Sequence, residues 1–286
     1  ITIGTLYVAG NVDLELNADV TVTKFETNAG AENFIDHNFT VNIDGTGSLT
    51  ATTSMDFTRA SGTETPTVIG TYNLNVPVIR SGKAVLHSGS QVYINKKSSF
   101  TGIEYQGTDS PKPYLEINAE VSSDIVTTGI METVVTQYGN LEVGTLSSNA
   151  PLTNSGTISV ETAFTATEYL RPTDSTSDVV NIEEGTTLSI ENGTISTLNV
   201  EETNDNFDDF ATISSTGTLT ISSATYNNAD IQTSGTGTIK LANTIDSDSI
   251  GKLTIESGEL TIENLNVGNL TNKANFSSST VNITGD

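Results

Sequence analysis

Cysteine is absent from the 286-residue chain. That excludes a disulfide framework, a thiolate metal site and a cysteine nucleophile. Basic side chains are scarce, 11 against 35 acidic, for a formal net charge of −24. Such a surface repels a phosphate backbone, so no nucleic-acid partner is expected. No apolar run approaches the roughly eighteen residues that cross a bilayer, so no membrane insertion is expected either. Proline occurs at 66, 77, 111, 113, 151 and 172 and nowhere after. No window longer than about ten residues carries the i, i+3, i+4, i+7 apolar spacing of an amphipathic helix.

What is present favours strands. Thr and Ser supply about a quarter of the chain and Asn about a tenth, a composition of strands and turns. Apolar residues alternate with polar ones in short bursts. Leu6 and Val8 are followed by Val12, Leu14 and Leu16, then by Val20 and Val22; Phe39, Val41 and Ile43, and Leu74, Val76 and Val78, continue the pattern. Beyond about residue 140 the bursts become formulaic: Gly156-Thr-Ile-Ser-Val160, Gly217-Thr-Leu-Thr-Ile221, Gly237-Thr-Ile-Lys-Leu241, Gly251-Lys-Leu-Thr-Ile255 and Gly258-Glu-Leu-Thr-Ile262. Leu188, Leu219 and Leu253 recur at roughly 30 residues, while Leu219, Ile239 and Leu260 recur at roughly 20, so no single period fits.

A strand with one apolar face cannot bury that face alone, but copies stacked about 4.8 Å apart enclose a continuous interior. The fold class expected is therefore all-β, a parallel β-solenoid, with about ten to fourteen coils in a rod on the order of 50 to 65 Å long. The alternative is a pair of β-sandwich domains, whose strands also alternate. Near-repeated phrases without Asn-Gly or Asp-Gly hairpin turns between matched strands favour the solenoid. In that reading Leu219 with Ile221, and Ile239 with Leu241, are equivalent inward rungs. Composition shifts along the chain: residues 1–113 carry 7 basic and 11 acidic side chains, and residues 114–286 carry 4 and 24. With Asp109-Ser-Pro-Lys-Pro113 as an irregular turn, this suggests a less acidic β-rich part over 1–113 and a repetitive acidic part over 114–286.

The phrases Asn154-Ser-Gly-Thr-Ile-Ser-Val160 and Ser215-Thr-Gly-Thr-Leu-Thr-Ile221 resemble repeats of β-helical autotransporter passenger regions and filamentous-haemagglutinin-like adhesins. Surface-layer and sheath proteins are similar in composition. The resemblance covers mainly residues 140–286. It implies an extracellular or cell-surface location and a role in adhesion or assembly, and it transfers no particular functional residue.

Candidate chemistry concentrates where repetition breaks. Glu201, Glu202, Asp205, Asp208 and Asp209 supply five carboxylates in nine residues, the hard oxygen ligands that calcium prefers. Read as an EF-hand loop from Asn204, the segment places Asp209 where a turn Gly belongs and Ser215 where a bidentate Glu belongs, and a solvated loop between coils is the competing reading. Asp246 and Asp248 form a weaker pair. No enzyme activity is expected. His37 and His87 are the only imidazoles and lack metal-ligand spacing, and arginine is limited to Arg59, Arg80 and Arg171. A polysaccharide-binding or polysaccharide-cleaving β-helix is the alternative function, with Tyr93, Tyr105, Tyr114 and Phe100 available to stack on sugars or to pack in a core. Asn-x-Ser/Thr sequons stand at Asn38, Asn192, Asn269, Asn275 and Asn282, and the last three are close enough to form a sugar-coated end. Both chain ends read as strands. Ile1, Ile3, Leu6 and Val8 at one, and Val281 and Ile283 at the other, are the expected assembly residues, because open strand edges associate. The expected partner is the chain itself, or else surface glycans and proteins.

Overall fold

In the computed structural model the described residues are those outside 28–37, 58–68, 107–111, 173–177, 184–185, 202–210, 216, 226–228, 234–237, 247–249, 256–257, 267–273, 277–278 and 284–286. From residue 222 onward, and at Glu201, only the backbone is described. Among these residues all regular structure is β, with no helix. Every register-defined pairing is parallel, including β1 with β3 and β2 with β4. The fold is a parallel β-solenoid, and the sandwich alternative, which needs antiparallel neighbours, is not the structure.

The chain forms two compact units, Ile1–Val143 and Gly144–Asp286. In the first, the strands are β1 (Thr2–Val8), β2 (Val12–Leu16), β3 (Val20–Thr27), β4 (Phe39–Gly45), β5 (Leu49–Phe57), β6 (Gly70–Leu74), β7 (Val78–Leu86), β8 (Ser90–Ile94), β9 (Ser98–Tyr105), β10 (Tyr114–Ile117), β11 (Glu120–Gly129) and β12 (Glu132–Val135), with β13 (Asn140–Asn154) holding the boundary residues. Odd-numbered strands stack on odd and even on even, β4 on β6, β6 on β8 and β8 on β10. Alternation puts every second residue inside. Val41, Tyr72, Val92 and Leu115 form one interior file, and Ile43, Leu74, Ile94, Ile117 and Val135 form the next, all essentially solvent-free.

Four aromatic rings cluster in this interior. Phe57 lies 6.0 Å from Phe25 and 5.2 Å from Tyr72, and Tyr72 meets Phe39 edge-on at 5.8 Å. The buried Tyr72 hydroxyl is satisfied by Thr27 Oγ1 at 3.0 Å, as a phenol in an apolar interior requires. At several positions, Gly45 and Gly82 among them, only glycine fits. Gly45 has φ +122, and a Cβ there would lie 2.2 Å from the Leu16 carbonyl oxygen; at Gly82 it would lie 1.9 Å from that of Thr53. Coil-to-coil approach sets these contacts, so a side chain would push the coils apart.

The second unit contains β14 (Thr157–Leu170), β15 (Val179–Glu183), β16 (Thr187–Glu201), β17 (Ala211–Ser215), β18 (Thr218–Thr225), β19 (Ala229–Thr233), β20 (Thr238–Asp246), β21 (Ile250–Ile255), β22 (Gly258–Asn266), β23 (Ala274–Phe276) and β24 (Ser279–Ile283). Its long strands bend and serve several stacks. Within β14, the first part pairs with β15 and the later parts pair with β16. One file runs Phe164, Leu188, Ile213, Ile231, Leu253. A second runs Leu219, Ile239, Leu260, Val281, with Ile221, Leu241, Ile262, Ile283 beside it.

These files account for the two conflicting periods. Leu219, Ile239 and Leu260 are successive rungs of one stack, as expected, and Ile221 lies over Leu241. Leu188 and Leu253 belong to another stack, so a spacing of about 30 that passes through Leu219 mixes two faces of the coil. Leu219 and Ile221 are buried and Thr218 is exposed, the orientation that alternation requires. Truncating a file residue leaves a cavity that neighbouring rungs cannot close. Leu74→Ala is therefore expected to lower stability by about 2–5 kcal/mol in denaturant unfolding, whereas Thr71→Ala, on the outer side of the same strand, is expected to stay within about 0.5 kcal/mol.

Candidate functional site

Stacked, in-register coils place identical outer positions over one another, and asparagine exploits this. In the first unit Asn118 Nδ2 donates to Asn95 Oδ1 at 2.8 Å, Asn95 to Asn75 at 2.7 Å and Asn75 to the Asp44 carboxylate at 2.8 Å. A parallel ladder runs from Asn73 through Asn42 to Asp13, with both bonds at 2.7 Å. In the second unit Asn199 donates to Asn181, and Asn181 to Ser159. Each interior amide, Asn95, Asn75, Asn42 and Asn181, uses one N–H and one carbonyl lone pair within its ladder. Both ladders of the first unit end on an aspartate, an acceptor with no N–H to pass on. Chain separation between rungs ranges from 18 residues for Asn199 and Asn181 to 31 for Asn75 and Asp44. The longer coils contain the segments 28–37 or 58–68, and coil length varies without disturbing the rungs.

The same outer face carries aromatics. Tyr93 and Tyr114 lie 5.6 Å apart with ring planes at 49°. The Tyr114 hydroxyl donates to Glu116 Oε2 at 2.5 Å. Burial first, then the bond to Glu116 and its charge, hold the Tyr114 phenol well above its usual range, and burial with Glu116 raises Tyr93 as well. Both phenols are therefore neutral donors or acceptors at physiological pH. Together with Gln91, the register partner of Tyr114, and the ladder amide Asn95, they form a half-buried surface of flat rings and amides.

In the second unit polar groups are buried together. Asn154, Tyr169 and Asp178 are all solvent-free. Tyr169 Oη donates to Asp178 Oδ2 at 2.7 Å and accepts from Asn154 Nδ2 at 3.0 Å, while the Ser196 amide donates to both Asp178 oxygens at 3.2 Å. Burial and the Asp178 charge push the Tyr169 phenol far up, so the hydroxyl stays a donor. Arg171 Nε lies 4.0 Å from Asp178. A groove of about 580 Å³ opens outside this network, lined by Arg171, Asn192, Gly193, Thr194, Thr218 and Thr220.

The residues singled out from sequence distribute as follows. Ile1 and Ile3 are exposed at 75% and 39%, Leu6 is half-buried and Val8 buried, and Tyr7, which sequence reasoning passed over, is 62% exposed. Among the described residues β1 pairs with β3 alone and β2 with β4 alone. Val281 and Ile283 lie on β24, in register with Leu260 and Ile262. Glu201 closes β16 opposite Glu183, while Glu202, Asp205, Asp208 and Asp209 lie outside the described residues, as do His37, Asp248 and Asn269. Asn275 and Asn282 sit on β23 and β24. Asn38 and Asn192 use their side-chain oxygens to accept the amides of Ile69 and Thr218. Phe100 is buried in the core, which removes it from the sugar-stacking set. His87 is half-buried, and desolvation, opposed by Asp56, lowers its pKa. Among the described residues no group of three His, Asp or Glu side chains is placed to hold a metal ion.

Sequence reasoning missed the ladders. Their signal was an Asn or Asp directly after the last inward residue of a strand: Ile43-Asp44, Leu74-Asn75, Ile94-Asn95 and Ile117-Asn118. Comparison with protein-family models, with curated proteins and with solved structures returned no match. The ladder itself is testable. Asn95→Ala removes two amide bonds and is expected to cost about 1–3 kcal/mol in denaturant unfolding, while Asp44→Asn, which keeps the acceptor, is expected to change stability by less than about 0.5 kcal/mol.

Proposed function

We propose that this chain is an extracellular structural protein, a subunit or segment of a surface filament, sheath, layer or adhesin that acts by self-assembly, by adhesion, or by both. The observation that carries this reading is the ladder system: outer side chains bond from coil to coil and repeat one local solution, instead of converging as unlike groups on one reacting centre. Such a body is stiff, tolerates inserts at its corners and presents a periodic polar exterior. Its acidity keeps it soluble and offers oxygen ligands to divalent cations such as calcium. Strand addition along the side of β1 and β2 that no other described strand occupies, where Ile3 and Tyr7 are exposed, is the proposed mode of assembly, in which a further parallel coil continues the stack.

The Tyr93–Tyr114 pair beside Glu116 supports a second reading, a polysaccharide-binding or polysaccharide-cleaving face, since flat rings flanked by planar amides and a carboxylate suit sugar rings. One set of measurements separates the two. The full chain is expected to form ordered assemblies in negative-stain microscopy, or to bind saturably on a glycan array, with no reducing sugar released. The pair Ile3→Lys and Tyr7→Lys is expected to reduce assemblies to monomers without altering the far-UV circular dichroism spectrum. Monodisperse monomers at every salt and calcium concentration, together with an empty glycan array, contradict the structural reading; sugar release replaces it with the enzymatic one.

A further inference from the structure

Four of the eleven basic residues, Arg80, Lys83, Lys96 and Lys97, crowd into one short stretch of this acidic chain. Lys83 is paired with Glu104 at 2.6 Å, and Lys97 is paired with Glu120. Arg80 and Lys96 pair with no carboxylate among the described residues, although acidic side chains outnumber basic ones threefold, and of the two only Arg80 lines a groove. The Arg80 backbone is unusual as well, with φ at +46°, a left-handed conformation that a long side chain rarely adopts. The cause is local: between positions paired with Ser98 and Phe100, β7 carries one residue more than β9. This bulge turns both Ile79 and Arg80 to the surface, as an extra residue in a strand does.

The bulge forms one wall of a groove of about 510 Å³ lined by Ile79, Arg80, Lys97, Ser99, Glu120 and Ser122. Ser99 and Ser122 are register partners on successive coils, so their backbones stand about 4.8 Å apart in the groove lining. Glu120 is already bound to Lys97, which leaves the Arg80 guanidinium as the uncompensated charge.

We propose that this groove is a docking site for an extended, carboxylate-bearing segment of a second copy of the chain. A carboxylate takes the planar guanidinium of Arg80 through two parallel hydrogen bonds. The two serines supply hydroxyls to neighbouring polar groups, and Ile79 covers the aliphatic part of the ligand. Charge complementarity selects the occupant: residues 201–209 hold five acidic and no basic side chains. Copies meet only if the chain self-assembles, so the identity of the occupant rests on that reading.

The test is fluorescence anisotropy of a labelled peptide of residues 199–210, titrated with the full chain. Saturable binding is expected, weakening with salt and falling by at least about tenfold in Arg80→Gly. Glycine adopts the left-handed backbone without strain, so unchanged circular dichroism in this variant separates lost recognition from lost folding. Arg80→Lys, which keeps the charge and loses the fork, is expected to fall in between. Equal binding to Arg80→Gly, or equal binding of a peptide whose acids are all amides, overturns the proposal. So does capture of tetragalacturonate at Arg80 with no peptide bound, which makes a soluble acidic glycan the occupant. Assemblies that form in negative stain without peptide binding overturn the docking site and leave self-assembly standing; peptide binding without assemblies does the reverse.

Discussion

Parallel pairing in register between one coil and the next is the constraint from which the rest of the structure follows. It sets neighbouring backbones about 4.8 Å apart and places each side chain directly over its counterpart, so the question at every position is which residue tolerates that neighbour. Inside, the answer is a file of aliphatics such as Ile43, Leu74, Ile94 and Ile117. Outside, the amide is the best solution, because it is both donor and acceptor and meets itself without repulsion. Aspartate lacks the donor and therefore ends a ladder, as Asp13 and Asp44 do. Stacked carboxylates repel, and the first unit carries them at only some outer positions, Glu15 over Asp44 and Glu26 over Asp56, while its other outer files mix acids with amides, tyrosines and lysines.

Because rungs interact through space and not through sequence spacing, the corners are free to vary. Coil-to-coil separations of 18 to 31 residues coexist with unbroken ladders. The same freedom produces the departures from repetition: the bulge at Arg80, the buried cluster of Asn154, Tyr169 and Asp178, and the paired tyrosines 93 and 114. Each sits where a coil differs from its neighbours, and each carries chemistry that the repeating positions do not. A solenoid of this kind holds its stability in the repeated rungs and leaves the exceptions to carry different chemistry.

The fold class was legible because alternation and Gly-x-Leu-Thr-Ile phrases report a local property, one apolar face per strand. The coil period was not, since Gly251-Lys-Leu-Thr-Ile255 serves a different face from Gly258-Glu-Leu-Thr-Ile262 although the two differ at one residue of five; only pairing reveals which stack each joins. The ladders were hidden for the same reason, because Asn75 and Asn95 become neighbours only once the coil between them is closed. Of the surface features, the exposed Ile3 was visible as an apolar residue in a terminal strand. The isolation of Arg80 was not, since an unpaired charge is a property of the folded surroundings and not of the residue.

The register itself is the central claim, and a chain without cysteine allows it to be measured on a clean background. Thr71 and Gln91 are outward partners on successive coils, within the distance that a disulfide spans. In the double variant Thr71→Cys with Gln91→Cys, mild oxidation is predicted to close the bond rapidly and completely, with unchanged circular dichroism and a raised unfolding midpoint. Thr71→Cys with Val92→Cys, one residue out of register and on the opposite face of the strand, is predicted to stay reduced. Closure of the second pair in preference to the first would contradict the stacking on which the ladders, the apolar files and the proposed docking groove all depend.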